Sequence, residues 1–184
     1  MTAPDFAFLA APSTHRVRRT FGFVDIAGFT AFNNSEGDTR AVDELSEFRA
    51  IVRGVGSATG IRVAKWLGDG AMLVGLEPPA LVSAVLQIMR KMHDRPDGLA
   101  LHAGVAEGEV ILFEGDDHIG AAVNMAARLA DEAQAWQILA PADLIPGARR
   151  TKAAQDSVLL PGFKDPIEIV DLALVPALVE ALNL

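Results

Sequence analysis

The sequence has 184 residues, of which 51% are hydrophobic and 22% charged, a size and balance that suit one compact domain with a packed interior. Its net charge of −8 leaves no broad basic face for phosphate neutralisation, so we expect no nucleic-acid partner. The absence of cysteine excludes disulfides, a thiolate nucleophile and a cysteine-ligated zinc site.

The amino-terminal region lacks the pattern of a secretory signal. An acid, Asp5, comes early, and the basic cluster at 16–19 follows a very short apolar stretch, which is the reverse of a signal peptide. The most apolar later stretch, 80–89, is shorter than the about 20 residues that span a bilayer. These features predict a cytoplasmic protein with no membrane partner.

The first half of the chain predicts a strand, a helix and a hairpin. Apolar residues after position 20 predict a strand that ends at Asp25 and is followed by a turn at 27–30. Apolar residues every three or four positions predict a helix from 38 to 60. Two apolar runs around the next glycine pair predict a hairpin with Asp69 at its tip.

The second half predicts further helices and strands in alternation. A second hairpin is expected around Gly108. The predicted helices cover 80–92 and 121–135, and the predicted strands cover 99–105, 157–160 and 167–174. This order predicts an α+β fold with a ferredoxin-like βαββαβ core and additional C-terminal strands and helices.

Asp25 and Asp69 each end a strand beside glycine, where the backbone can approach a ligand closely. A hard divalent cation prefers a few carboxylate oxygens together with substrate phosphates, so the two acids are candidate ligands of a metal pair. Taken singly, each acid also fits a turn former or a helix cap.

The turn after the first strand is a candidate phosphate site. Backbone N–H groups at Gly28, Phe29 and Thr30 lie between a strand and a helix, where they can cradle phosphate oxygens. No G-x-x-x-x-G-K-[ST] motif occurs, so the usual ATPase and kinase interpretations lose their main support.

Three segments, FVDIAGFT, KWLGDGAM and DHIGAAVNMAARL, resemble the successive signatures of class III nucleotidyl cyclases and occur in the family's order. The resemblance extends over 19–174. It implies a short N-terminal extension, 1–18, and a cyclase catalytic domain over 19–184. The implied activity is that of an adenylyl cyclase, which converts ATP to 3′,5′-cyclic AMP and diphosphate with two divalent metal ions, Mg²⁺ or Mn²⁺.

The resemblance also assigns the metal and transition-state residues. The family's two metal-binding aspartates correspond to Asp25 and Asp69, and the carbonyl of Ile26 is a further ligand. Its transition-state pair corresponds to Asn124 and Arg128, whose i, i+4 spacing places both on one helix face. No residue in the sequence is identified as a general base.

By the same resemblance, adenine is read by Lys65 and Asp117. An ammonium group donates to a ring nitrogen and a carboxylate accepts from the exocyclic amine, a pattern that suits adenine rather than guanine. A shift of one residue would replace Asp117 by Asp116. A phosphate-binding lysine of many members corresponds to Lys164 or, in another alignment, is replaced by Phe163.

Family catalytic domains pair head to tail, so the resemblance implies a homodimer with composite active sites. Metal ligands come from one subunit, and the base readers with the Asn and Arg come from the other. The alternatives are a guanylyl cyclase, a catalytically silent cyclase-like module, and a ferredoxin-like binding domain without nucleotide chemistry. The histidines show no metal-ligand spacing and are predicted to be packing or surface residues: His15, His93, His102 and His118.

Overall fold

A computed structural model describes residues 16–114, 117–148 and 157–175. Within them the strands are β1 (Arg16–Ile26), β2 (Arg62–Leu67), β3 (Gly70–Gly75), β4 (Leu101–Phe113), β5 (Asp117–Ile119), β6 (Ile138–Pro141) and β7 (Ile169–Asp171). The helices are α1 (Phe29–Glu36), α2 (Asp38–Thr59), α3 (Pro78–His93), α4 (Ala121–Glu132) and a short 3₁₀ turn, Leu172–Leu174.

The seven strands form one sheet in the order β2-β3-β1-β4-β6-β7, and β5 pairs with the end of β4. The central strand β1 is antiparallel to both β3 and β4. The parallel β4–β6 pair and the antiparallel β6–β7 pair extend this sheet. The arrangement of β1 to β4 with α2 and α3 confirms the predicted ferredoxin-like α+β fold with C-terminal additions.

Helices cover both faces of the sheet. Helices α2 and α3 pack on one face, where Phe48 and Val85 share a cluster with Val24 of β1. Helix α4 packs on the other, where Ala126 shares a cluster with Phe21. Because successive strand residues point to opposite faces, β1 directs Asp25 to the α4 face. This alternation positions the candidate site.

Glycines on β4 allow α4 to approach the sheet closely. A Cβ atom on Gly104 would lie 2.2 Å from the carbonyl oxygen of Ala126, and one on Gly108 would lie 2.9 Å from the Cβ of Ala122. The predicted hairpin around Gly108 is therefore wrong: β4 is continuous there, and Gly108 pairs with Arg19. The glycine makes room for a helix instead of a turn.

A β-bulge interrupts β2 between Val63 and Lys65. Val63 and Trp66 pack against the α2/α3 cluster. Lys65 pairs with Met72, which belongs to the cluster on the α4 face. The bulge therefore resets the alternation of the strand and places Lys65 on the same face as Asp25.

The C-terminal elements differ from the predicted strands. The segment predicted as a strand at 157–160 makes a single bridge, Val158 with Ile167. The segment predicted at 167–174 divides into β7 and the 3₁₀ turn, because the Asp171 carboxylate accepts a hydrogen bond from the Ala173 N–H at 3.0 Å and caps that turn. Strand β6 was not predicted. Across the described part of the chain, every helix is too short or too polar to cross a bilayer.

Candidate active site

Asp25 lies near the end of β1, between Gly70 of β3 and His102 of β4. Its Oδ1 atom is buried and has no hydrogen-bond partner among the described residues. A Cβ atom on Gly70 would lie 2.6 Å from that oxygen, so a side chain at this position would occupy the space beside the carboxylate. The sheet thus leaves one buried carboxylate oxygen unpaired, which is a feature that calls for an explanation.

The electrostatic surroundings of Asp25 oppose its negative charge. Burial and, after it, the nearby charge of Asp69 raise the pKa of the Asp25 carboxyl above its ordinary value of 3.8. His102 and a hydrogen bond from the Ile26 backbone act in the opposite direction and lower this pKa. Two neighbouring carboxylates, one of them partly desolvated, form a site that a cation would stabilise.

The donor set fits a hard divalent cation. Asp69 lies in the turn between β2 and β3, as predicted, and Ile26 follows Asp25 at the end of β1. The described residues contain no cluster of three or more His, Asp or Glu side chains that would hold a metal alone. Magnesium commonly uses one or two protein carboxylates and takes its other ligands from water and substrate phosphates. The carboxylates of Asp25 and Asp69 match that pattern.

Asp25 shares a cleft of about 320 Å³ with Arg128 of α4. The Arg128 Nη1 atom donates to Asp131 Oδ2 at 3.0 Å, and both of these side chains are largely exposed. Asn124 lies one helical turn earlier and is also exposed, but it does not line the cleft. The structure therefore brings a candidate metal ligand and the arginine predicted to act in the transition state together within a single chain.

Lys65 and Asp117 form an ion pair. Lys65 comes from β2 and Asp117 from β5, and each side chain is about half exposed. The two predicted base readers thus meet in space, although they lie outside the Asp25 cleft. Asp116, the alternative partner in the sequence, lies outside the described residues.

The candidate phosphate-binding residues take different positions. Gly28 has a φ of 72° and directly precedes α1, so Phe29 and Thr30 form the first turn of that helix. Phe29 packs against the α2/α3 core, and Thr30 is exposed. Lys164 is exposed in the loop before β7 and does not line the Asp25 cleft, whereas its neighbour Phe163 packs beneath α4.

Sequence reasoning missed the position of His102. Its Nδ1 lies 2.7 Å from the carbonyl oxygen of Ala130, and its Nε2 lies 4.0 Å from Asp25 Oδ2. A carbonyl oxygen can only accept, so Nδ1 carries the proton of this hydrogen bond. The pairing of β4 with β1 creates this contact. The sequence alone does not show which strands pair, so it gives no signal for the contact.

The other histidines occupy packing positions or are not described. His118 makes an edge contact with Phe21 at 5.3 Å between ring centroids, and His93 makes one with Trp136 at 5.2 Å. These contacts agree with the prediction that the histidines are packing or surface residues. His15 lies outside the described residues.

Two curated relatives illustrate the sequence similarity. An uncharacterized protein of Mycobacterium tuberculosis is 36% identical over 154 residues, which cover 82% of this chain and 40% of that protein. A pH-sensitive adenylate cyclase of Mycobacterium tuberculosis is 29% identical over 123 residues, which cover 65% of this chain and 30% of that protein. No protein-family model matches the sequence.

Solved structures share the fold. The adenylyl cyclase CyaB from P. aeruginosa superposes with a TM-score of 0.75 at 21% identity, covering 86% of this chain and 94% of that one. The guanylate cyclase domain of RhGC from Catenaria anguillulae, in complex with GTP, superposes with a TM-score of 0.71 at 18% identity, covering 84% of this chain and 96% of that one.

The chain has the fold of a nucleotidyl cyclase catalytic domain. The predicted cyclase resemblance is thereby confirmed, and adenylate cyclases occur among the curated relatives of this chain. Cyclases for adenine and for guanine nucleotides both share its fold, so the fold leaves the choice of base to the site residues. The matched region spans 30% to 40% of the length of these two curated relatives.

Proposed function

We propose that residues 19–184 form an adenylyl cyclase catalytic domain, which converts ATP to 3′,5′-cyclic AMP and diphosphate. The observation that carries the proposal is the ion pair of Lys65 with Asp117 on a chain with a cyclase fold. These two side chains are far apart in sequence, yet they lie side by side. In the proposal, Lys65 is the hydrogen-bond donor to the base and Asp117 is the acceptor. Adenine offers a ring nitrogen to the first and an amine to the second.

Divalent cations, Mg²⁺ or Mn²⁺, are part of the proposal. Asp25 and Asp69, with the carbonyl of Ile26, would hold two of them. Support comes from the buried, unpartnered Oδ1 of Asp25 and from the space that Gly70 leaves beside it. Such cations act as Lewis acids, activating an oxygen nucleophile and neutralising phosphate charge.

The chain itself supplies position and charge. Asn124 would orient the ribose, and Arg128 would neutralise the negative charge that develops on the transferring phosphoryl group. The N–H groups of Gly28, Phe29 and Thr30 are candidate donors to phosphate oxygens, as is the ammonium of Lys164. The reaction is an in-line attack of the ribose 3′ oxygen on the α-phosphorus, with diphosphate as the leaving group.

We also propose that two copies form a homodimer with composite sites, and that the domain works in the cytoplasm. Both proposals rest on the sequence. In the composite arrangement, Asp25, Asp69 and Ile26 come from one subunit, and the base readers come from its partner together with Asn124 and Arg128.

Turnover of the two purine nucleotides tests the proposal. The purified protein is incubated with Mn²⁺ and either ATP or GTP, and cyclic product is separated by chromatography. We expect cyclic AMP to form faster than cyclic GMP, and Arg128→Ala to lower the rate by about 10²–10³-fold. The reverse preference would identify a guanylyl cyclase. No cyclic product from either nucleotide, with a folded protein and both metals tested, would identify a silent module.

A further inference from the structure

Arg49 of α2 contacts the turn that carries Asp69. Its Nη2 atom donates to the carbonyl oxygen of Gly68 at 3.0 Å. Its guanidinium lies over the ring of Trp66, 5.0 Å from the centroid. Its Nε atom is buried, and the described part of the chain offers it no hydrogen-bond partner. The side chain is thus held between a helix, an aromatic ring and the β2–β3 turn.

This turn determines where Asp69 lies relative to Asp25. Gly68 has a φ of 66°, a left-handed conformation that few residues adopt readily, and Gly70 lies against the Asp25 carboxylate. Asp69 is the single residue between these two glycines. A hydrogen bond to the Gly68 carbonyl therefore restrains the peptide immediately before the metal-ligand candidate.

An arginine suits this position better than a lysine. A planar guanidinium can stack on a ring with its face and donate hydrogen bonds from its edge at the same time, whereas an ammonium group is a point charge that lacks the flat face. The Trp66 ring is itself fixed by an edge contact with Phe48, at 6.4 Å between centroids. The buried Phe48 thereby connects the turn to the core.

We propose that Arg49 is a positioning residue, which fixes the β2–β3 turn so that Asp69 is preorganised beside Asp25 for divalent cation binding. This inference rests on the proposed function. Arg49 touches neither candidate carboxylate through any contact described above, so it acts through Gly68. Its loss is expected to weaken cation binding and to leave the Lys65–Asp117 base readers unaffected.

The chain offers a matched control. Arg53 also lies over the Trp66 ring, 5.1 Å from the centroid, one helical turn further along α2. Arg49→Met and Arg53→Met therefore each remove one cation–π contact with the same ring. Arg49→Met alone also removes the described hydrogen bond to the Gly68 carbonyl.

The test is Mn²⁺ binding to the nucleotide-free protein, measured by electron paramagnetic resonance of the free ion. We expect Arg49→Met to raise the Kd about 10-fold, as for residues that orient metal ligands from outside. Arg49→Lys should behave like Arg49→Met, and Arg53→Met should change the Kd less than twofold. In a cyclase assay, Arg49→Met should raise the Mn²⁺ requirement without changing the ratio of ATP to GTP turnover.

Equal Kd values for Arg49→Met and the wild type, with thermal unfolding showing a folded variant, would overturn the inference. Equal increases in the Mn²⁺ Kd for Arg49→Met and Arg53→Met would overturn it too, since the loss of a contact with the Trp66 ring would then explain both increases. Asp69→Asn separates this failure from that of the proposed function. If Asp69→Asn also leaves Mn²⁺ binding unchanged, the proposed metal site itself is wrong. If Asp69→Asn weakens binding and Arg49→Met does not, only the inference about Arg49 is wrong.

Discussion

The carboxylate of Asp25 is electrostatically unfavourable in the metal-free chain. Because burial and Asp69 raise its pKa, ionisation favours the unfolded state. At a pH well below the ordinary pKa of 3.8, the carboxyl is protonated in the folded and the unfolded state, so it does not change the free energy of unfolding. As the pH rises from there through the raised pKa of the folded state, the folded protein loses stability. A bound cation would reverse this effect, because it prefers the ionised form.

Asp25→Asn is therefore expected to raise the Tm of the metal-free protein at neutral pH. The same change should remove the stabilisation that Mn²⁺ gives the wild type, about 2.7 kcal/mol at a concentration 100 times the Kd. Thermal unfolding with and without Mn²⁺ measures both effects. A variant that Mn²⁺ still stabilises as much as the wild type would show that Asp25 is not a ligand.

Gly70→Ala probes the space beside the same carboxylate. The added methyl group would lie 2.6 Å from Asp25 Oδ1 and 3.2 Å from the carbonyl oxygen of Val24, so the carboxylate must move. We expect about a 10²-fold loss of cyclase activity, as for a displacement of about 1 Å in a catalytic group. The measurement is kcat at saturating Mn²⁺.

Gly54→Ala on α2 is the control for this change. Apart from its chain neighbours and the nearby backbone of α2, no described heavy atom lies within 4 Å of a Cβ built on Gly54, so alanine fits. The substitution should stabilise the helix by about 0.5–1 kcal/mol and leave kcat unchanged. Full activity in Gly70→Ala would mean that catalysis does not depend on the exact position of the Asp25 carboxylate.

At the scale of elements, the sequence predicted what depends on local pattern. The strand that ends at Asp25, the long helix α2 and the hairpin around Asp69 each have a clear apolar period and glycine punctuation, and each is confirmed. The placement of Lys65 depends on a bulge, which breaks the two-residue period and is visible only in the pairing with β3. His102 likewise required knowledge of the strand partner.

Glycine was the least predictable signal. At Gly68 the residue marks a turn, as its φ of 66° requires. At Gly108 it lies in a continuous strand under a helix. The two roles look alike in a sequence. The first depends on the backbone angle and the second on what a side chain would contact, and neither is visible without the structure. The difference explains why one hairpin is confirmed and the other is wrong.

The close packing of α4 on β4 gives a prediction for that helix. A methyl group at position 104 would lie 2.2 Å from the Ala126 carbonyl oxygen and from the Ala130 amide nitrogen. Gly104→Ala should therefore displace α4 and lower the free energy of unfolding by about 1–3 kcal/mol, measured by urea denaturation. Because Arg128 lies on α4, activity should fall as well. An unchanged urea midpoint would show that the helix can shift without strain.

At the scale of the whole molecule, four of the candidate residues form two separate groups. Asp25 and Arg128 border one cleft, and Lys65 pairs with Asp117 outside it. A composite dimer and a site within one chain make different demands on Arg128. In the first, it serves the metal site of the partner. In the second, it serves the cleft that it already lines.

Mixing two inactive variants distinguishes these arrangements. If sites are composite, Asp25→Ala combined with Arg128→Ala gives mixed dimers with one intact site. Each mixed dimer has one of its two sites intact, so the isolated mixed dimers should show about half of the wild-type activity. The measurement is cyclic AMP formation, after mixed dimers are isolated by two affinity tags. Mixed dimers as inactive as their components would show that Asp25 and Arg128 act within one chain.

In the nucleotide-free chain, Lys65 and Asp117 satisfy each other, and an incoming base has to part them. Separating a half-exposed ion pair costs only about 0–1 kcal/mol, whereas each polar group left unmatched in a closed site costs about 1–3 kcal/mol. Under the proposed function, adenine restores a partner to both side chains, whereas guanine in the same position places a donor against the lysine and an acceptor against the carboxylate. The ion pair therefore costs the correct purine little, and discrimination comes from the penalty that the wrong purine incurs.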